Sequence, residues 1–118
     1  MKRTLPLIAL LCLAASCTSD SLSDLSEKID SSNISYAQNI RPIMQNNCLS
    51  CHGAVPSNGA QASLATYEGV RQAILNENMI SKISRAEGTP GAMPLGGPRL
   101  PQPQIDLIVQ WSQTGFNQ

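Results

Sequence analysis

Cys48-Leu49-Ser50-Cys51-His52-Gly53, CLSCHG, contains the only histidine of a 118-residue chain. A sole imidazole set directly behind a Cys-x-x-Cys pair leaves three chemistries to weigh. Zinc needs three or four protein ligands, and the other two cysteines, Cys12 and Cys17, lie near the N-terminus. Two thiols and one imidazole then remain, with no acidic residue at a spacing that completes a set. A thioredoxin-type redox pair wants a preceding strand in a βαβ frame, whereas a polar segment with helical spacing comes before this motif. The third chemistry is covalent haem attachment, of which Cys-x-x-Cys-His is the signature. Two thioethers would fix the porphyrin edge at Cys48 and Cys51. His52 then falls beneath the iron, and its neutral imidazole supplies the proximal bond. Gly53 allows the backbone to turn away from the ring. One covalently bound haem c is therefore expected.

The first residues read as a leader. Lys2 and Arg3 precede the apolar run Leu5 to Ala15, which is too short to span a bilayer and has the length of a signal-peptide core. Ala14-Ala15-Ser16 then lead to Cys17. These residues resemble the lipobox of bacterial lipoproteins, although the leucine usual three positions before the cysteine is Ala14 here. The division expected is a signal peptide over 1–16, a lipidated start at Cys17 with a Ser-rich acidic tether over 17–33, and a folded domain over 34–118. With the leader removed, 6 basic residues face 8 acidic ones, a net charge of −2. No Lys/Arg cluster offers a footprint for nucleic acid. Cys48 and Cys51 are then the thiols of the folded part, so no structural disulfide is expected despite an oxidising exported setting. Leu22, Leu25 and Ile29 fall at helical spacing within the tether and allow a short helix there.

Within 34–118 the periodicity is helical and no alternating strand pattern occurs. The segment SYAQNIRPIMQNN predicts a first helix with Asn39 as N-cap, Pro42 in its first turn, and Ile40, Ile43 and Met44 inward. Thr66 predicts the cap of a second helix running to about Asn76, with Val70, Ala73 and Ile74 inward. Met79, Ile80 and Ile83 suggest a further turn or two. EGTPGAMPLGGPRLP carries too much Pro and Gly for a helix. QPQIDLIVQWSQT predicts a last helix, stopped by Gly115, with Ile105, Ile108, Val109 and Ser112 on one side. Only 3% of residues are aromatic, which is thin for a small core without a staple or cofactor.

With one histidine, a second imidazole cannot take the distal face of an iron. Met44, Met79, Met93, a lysine or an open site are the candidates. Met44 lies four residues before Cys48 on the same helix and cannot reach round the macrocycle. Met79 shares an apolar stripe with Ile80 and Ile83, as a packing residue would. Met93 stands between Gly91-Ala92 and Pro94-Leu95-Gly96-Gly97-Pro98, a loop suited to projecting a thioether at a fixed point.

These segments together resemble the class I c-type cytochrome family, in particular small bacterial cytochrome c domains. NIRPIMQNNCLSCHG is similar to the family's first helix and haem motif, LATYEGV to its second-helix entry, AMPLGG to the distal methionine loop, and IDLIVQWSQTG to the terminal helix. The resemblance spans about residues 35–116 and departs at Pro101, where relatives commonly place a hydrophilic cap. It implies an all-α fold of three to five short helices wrapped around a covalent haem. It assigns Cys48 and Cys51 to attachment, His52 to the proximal bond and Met93 to the distal bond, with Met79 the alternative.

The function so implied is single-electron transfer between redox partner proteins by a carrier that is not an enzyme and takes no small-molecule substrate. Alternatives are a haem-bearing subunit of a larger oxidoreductase, or a haem enzyme or sensor with an open distal site. The chain is expected to be exported and held by lipid on Cys17 at a bacterial membrane, facing the periplasm or the cell surface. Trp111 reads as packing against the first helix. Tyr67 reads as a hydrogen-bond donor to a haem propionate or Met93, or as cover for the ring edge. Arg71, Arg85 and Arg99 are candidate propionate partners.

Overall fold

Two polar side chains start the fold by satisfying backbone groups that a helix end leaves open. Ser35 Oγ accepts from the Gln38 N–H at 3.3 Å, and Asn39 Oδ1 accepts from the Ser35 N–H at 2.9 Å. In this computed structural model, residues 33–118 are described; the expected signal segment, Cys17 and the tether to residue 32 lie outside the described residues. A π-helical turn, Tyr36–Ile40, runs directly into helix α1, Arg41–Asn47. The first helical turn therefore begins at Tyr36 under a Ser35 cap, and not at the Asn39 cap expected from sequence. Pro42 supplies the reason. It has no N–H, and its ring would press on the carbonyl four residues back in a continuous α-helix. One widened turn, closed by the Arg41 N–H on Tyr36 O, accommodates the proline within the first turn of α1.

The other elements follow their local signals closely. Helix α2, Tyr67–Asn76, is capped by Thr66, whose Oγ1 accepts from the Gly69 N–H at 3.1 Å. Gly69 is required there, because a Cβ would run into Ser63 O. Asn78 in the left-handed region (φ 56°) joins α2 to helix α3, Met79–Ser84. Residues 85–101 form the expected loop. Helix α4, Gln102–Gln113, follows Pro101 and has no side-chain cap. It ends at Thr114 and Gly115 (φ 94°) with the Phe116 N–H returning to Trp111 O at 3.1 Å. That bond, and the Phe116 ring against Trp111, make a Schellman closure. Among the described residues there is no strand, so the fold is all-α.

Ile34, Ile40, Met44, Val70, Ile108 and Trp111 are the most buried core side chains. The inward stripe of α4 is Ile105, Ile108 and Trp111, with Val109 and Ser112 half-buried. The expected Val109–Ser112 edge gives way to Trp111 because the last residues fold back over it. Its ring meets Tyr36 at 5.8 Å, Tyr67 at 5.8 Å and Phe116 at 4.9 Å, and its Nε1 donates to Asn117 O at 2.7 Å. The Tyr36 N–H donates to the same Asn117 carbonyl at 2.8 Å, and Asn117 Nδ2 donates to Ile34 O at 3.4 Å. Only four aromatics are present, and all four converge where α4 crosses the start of the first helix. Trp111 is thus a packing residue. No helix among the described residues is long and apolar enough to cross a membrane.

Candidate functional site

Helix α1 unwinds directly into the cysteine motif. The Cys48 and Leu49 N–H groups both close on Met44 O, at 2.9 and 3.1 Å. The Cys51 and His52 N–H groups then close on Cys48 O, at 3.2 and 2.9 Å. This single turn sets Cys48, Cys51 and His52 at i, i+3 and i+4, the spacing that puts side chains on one face. Gly53 packs tightly behind it, where a Cβ would come within 3.1 Å of Leu49 O. Two long-range bonds hold the turn in place, Ser57 N–H to Cys51 O and Leu64 N–H to His52 O, each 2.8 Å.

His52 Nδ1 lies 2.7 Å from Ala62 O. A carbonyl can only accept, so Nδ1 carries the proton and the Nε2 lone pair is left free. An imidazole oriented in this way is prepared to bind a metal through Nε2. Both cysteines are free thiols. Burial pushes the Cys48 thiol up to about 11, so it is protonated at neutral pH. Cys51 Sγ accepts a weak hydrogen bond from Asn58 Nδ2 at 3.6 Å.

All three motif side chains line one cavity of about 710 Å³, within the roughly 300–1,000 Å³ range of ligand and cofactor sites. Helix α3 contributes Met79, Lys82 and Ile83 to its wall, and the loop contributes Met93 to Pro98. Met93 is half-buried, and its N–H donates to Lys82 O at 3.1 Å. The loop carrying it is pinned on either side. Arg85 Nη1 donates to Pro90 O at 2.7 Å, occupying the space a Cβ at Gly91 (φ 75°) would need, and the Gly97 N–H reaches Pro94 O at 3.3 Å.

The cavity therefore brings together Cys48, Cys51, His52 and Met93. It also brings in Met79, which is 6% exposed and belongs to the core cluster as well. Met44 is in the core and is not among the residues lining this cavity. Tyr67 does not face it either: its hydroxyl donates to Phe116 O at 2.8 Å and its ring stands against Tyr36 and Trp111. The three arginines singled out from sequence are engaged elsewhere. Arg71 pairs with Glu68 and lies over the Phe116 ring. Arg85 holds Pro90 O, and Arg99 Nη2 donates to Gln102 Oε1 at 2.8 Å. Sequence reasoning missed Lys82 and Glu77, which do line the cavity. Lys82 carried a readable signal, since it lies three residues after Met79 on the same short helix.

Two of the alternative chemistries lack their scaffolds. Among the described residues no group of three His, Cys, Asp or Glu side chains is placed to hold a metal ion, so Cys48, Cys51 and His52 do not by themselves form a zinc site. The motif follows a helix, and among the described residues there is no strand for a thioredoxin-like frame. An imidazole with a free Nε2, two thiols and a thioether around one largely apolar cavity suit a flat, iron-bearing macrocycle attached through sulfur. No protein-family model matches the chain, no curated protein matches it, and no solved structure matches it.

Proposed function

We propose that this chain is a mono-haem cytochrome c that carries single electrons between redox partner proteins. The observation that supports it most is the convergence of Cys48, Cys51, His52 and Met93 on one cavity, with His52 Nδ1 committed to Ala62 O. When bound, the haem supplies a one-electron iron couple whose potential the protein tunes. Cys48 and Cys51 would attach it, and His52 Nε2 and the Met93 thioether would hold its iron. A thioether raises the potential, and two protein ligands leave no open position for an oxidant or substrate. Ile83 and Leu100, both buried, give the cavity an apolar wall. Electron transfer needs no acid–base group, and the site's lone imidazole would be taken up by the iron.

Cys17 carries the lipid that holds the exported chain to a bacterial membrane, and the segment to residue 33 serves as tether. A haem-bearing subunit of a larger oxidoreductase is the second reading. It is favoured by Leu95, which lines the cavity yet is 75% exposed, an apolar side chain at the mouth that a partner could cover.

The test is acid–acetone extraction of protein matured in a host that attaches haem c. Haem should stay with the wild-type polypeptide and be released from the doubly substituted Cys48→Ser/Cys51→Ser chain. Haem that extracts freely from the wild type would overturn the reading.

A further inference from the structure

We infer that Lys82 binds the cofactor's carboxylates, making its position on helix α3 the anionic-group subsite of the cavity. Among the described residues there are five cations, Arg41, Arg71, Lys82, Arg85 and Arg99, and only Lys82 lines the cavity. Arg71, Arg85 and Arg99 are bound to Glu68, Pro90 O and Gln102 respectively. Arg41 lies exposed at the start of α1. Lys82 is half-buried and its ammonium has no ion pair with any described acid. An ammonium without an ionic partner of its own is available to a ligand that brings the opposite charge. Met79, Lys82 and Ile83 stand at i, i+3 and i+4, so one face of α3 meets the cavity, with the buried apolar Met79 and Ile83 flanking the half-buried Lys82. The aliphatic stem of a lysine can follow such a wall and deliver its ammonium to the rim.

The other charged group on the wall is Glu77, which is exposed and bears the same sign as a carboxylate. It disfavours an anionic substituent at its own position, leaving the Lys82 side for one. The backbone of Lys82 has a separate task, since its carbonyl holds the Met93 N–H. A side-chain substitution leaves that bond available, so charge and loop support can be tested apart.

This inference rests on the haem reading, and the two fail differently. The experiment is a spectroelectrochemical titration of the full haem-bearing chain at pH 7, comparing wild type with Lys82→Gln, Lys82→Arg and Arg41→Gln. Removing a cation that pairs with the cofactor's carboxylates disfavours the reduced iron. At fixed ambient potential, Lys82→Gln should lower the reduced-to-oxidised ratio by about three- to tenfold, which is about 28–59 mV for one electron. Lys82→Arg should restore it. Arg41→Gln, which deletes the same charge away from the cavity, should change the ratio less. The Lys82 effect should persist in 1 M salt, where the screening length falls to about 3 Å, and the thioether–iron(III) charge-transfer band should remain in every variant. An unchanged ratio in Lys82→Gln, an effect equal to that of Arg41→Gln, or one abolished by salt would overturn the inference alone. Loss of the charge-transfer band in Lys82→Gln would also overturn it, by making the residue a support for Met93. Wild-type haem that extracts freely would instead remove the cytochrome reading and this inference with it.

Discussion

Replacing each cavity-lining methionine with alanine separates a ligand from a packing residue. Met79 is 6% exposed, on the inner face of α3 within the main hydrophobic cluster. Truncating a methionine so buried removes its transfer energy and leaves a cavity, about 2–5 kcal/mol in total. Met93 is half-buried on a loop held by its own backbone bond to Lys82 O and by the Arg85 bond to Pro90 O. Those bonds do not involve its side chain, so Met93→Ala should disturb packing less, by about 1 kcal/mol apart from any iron bond. The redox effects should run the other way. Met93→Ala should abolish the near-red charge-transfer band of the oxidised protein, lower the reduction potential by on the order of 100 mV, and admit carbon monoxide to the iron. Met79→Ala should leave the band and potential nearly unchanged while shifting the denaturation midpoint. The assay is an optical and potentiometric comparison of the two variants, with chemical denaturation alongside. If the band is lost in Met79→Ala and kept in Met93→Ala, the ligand assignment is refuted. If wild type already binds carbon monoxide and lacks the band, the distal site is open and a haem enzyme or sensor becomes the better account.

Other perturbations probe separate parts of the structure. Trp111→Ala removes a fully buried ring that meets three other aromatics and leaves Asn117 O without its indole donor; denaturant unfolding should show a loss of about 3–5 kcal/mol, and a loss under about 1 kcal/mol would contradict the aromatic closure. In the chain before haem attachment, the raised Cys48 thiol, at about 11, is only about 0.1% thiolate at pH 8, so peptide-resolved alkylation there should be about two orders of magnitude slower than for an ordinary thiol near 8.5. Because deprotonation rises tenfold per pH unit below the folded value, that rate should climb about 100-fold between pH 8 and pH 10; a Cys48 alkylated at the ordinary rate at pH 8 would mean the side chain is not buried as described. Cys17→Ser should abolish metabolic labelling with a fatty acid and release a soluble protein that still carries haem, and labelling that persists would disprove the lipid site.

The signals legible in the sequence were those enforced locally. Thr66 capped α2, Gly115 closed α4, and the Pro/Gly content of 85–101 kept that stretch out of a helix, each through backbone chemistry a few residues wide. The motif turn was equally legible, because i, i+3 and i+4 placement follows from the spacing of Cys48, Cys51 and His52 alone. The first cap was misplaced because Ser35 and Asn39 can both cap, and the choice depends on the π-turn that accommodates Pro42. The α4 stripe was misjudged because Trp111 is buried by residues 116–117 folding back, a tertiary event that helical spacing does not encode. Long-range pairings were illegible for the same reason. Nothing in the order of residues says that Ala62 O meets His52 or that Tyr67 meets Phe116 O. Lys82 differs, since it follows Met79 by three residues on one short helix. Helix-face logic, applied forward from Met79, would have found the lysine.

The central claim, one haem held through Cys48 and Cys51, is tested most directly by the intact mass of the purified exported chain, read with its optical spectrum. The purified polypeptide should be heavier by one haem under denaturing conditions, with a Soret band whose intensity corresponds to one haem per chain. A mass equal to that of the processed polypeptide without haem, with no Soret band or with stoichiometric zinc in its place, would contradict it.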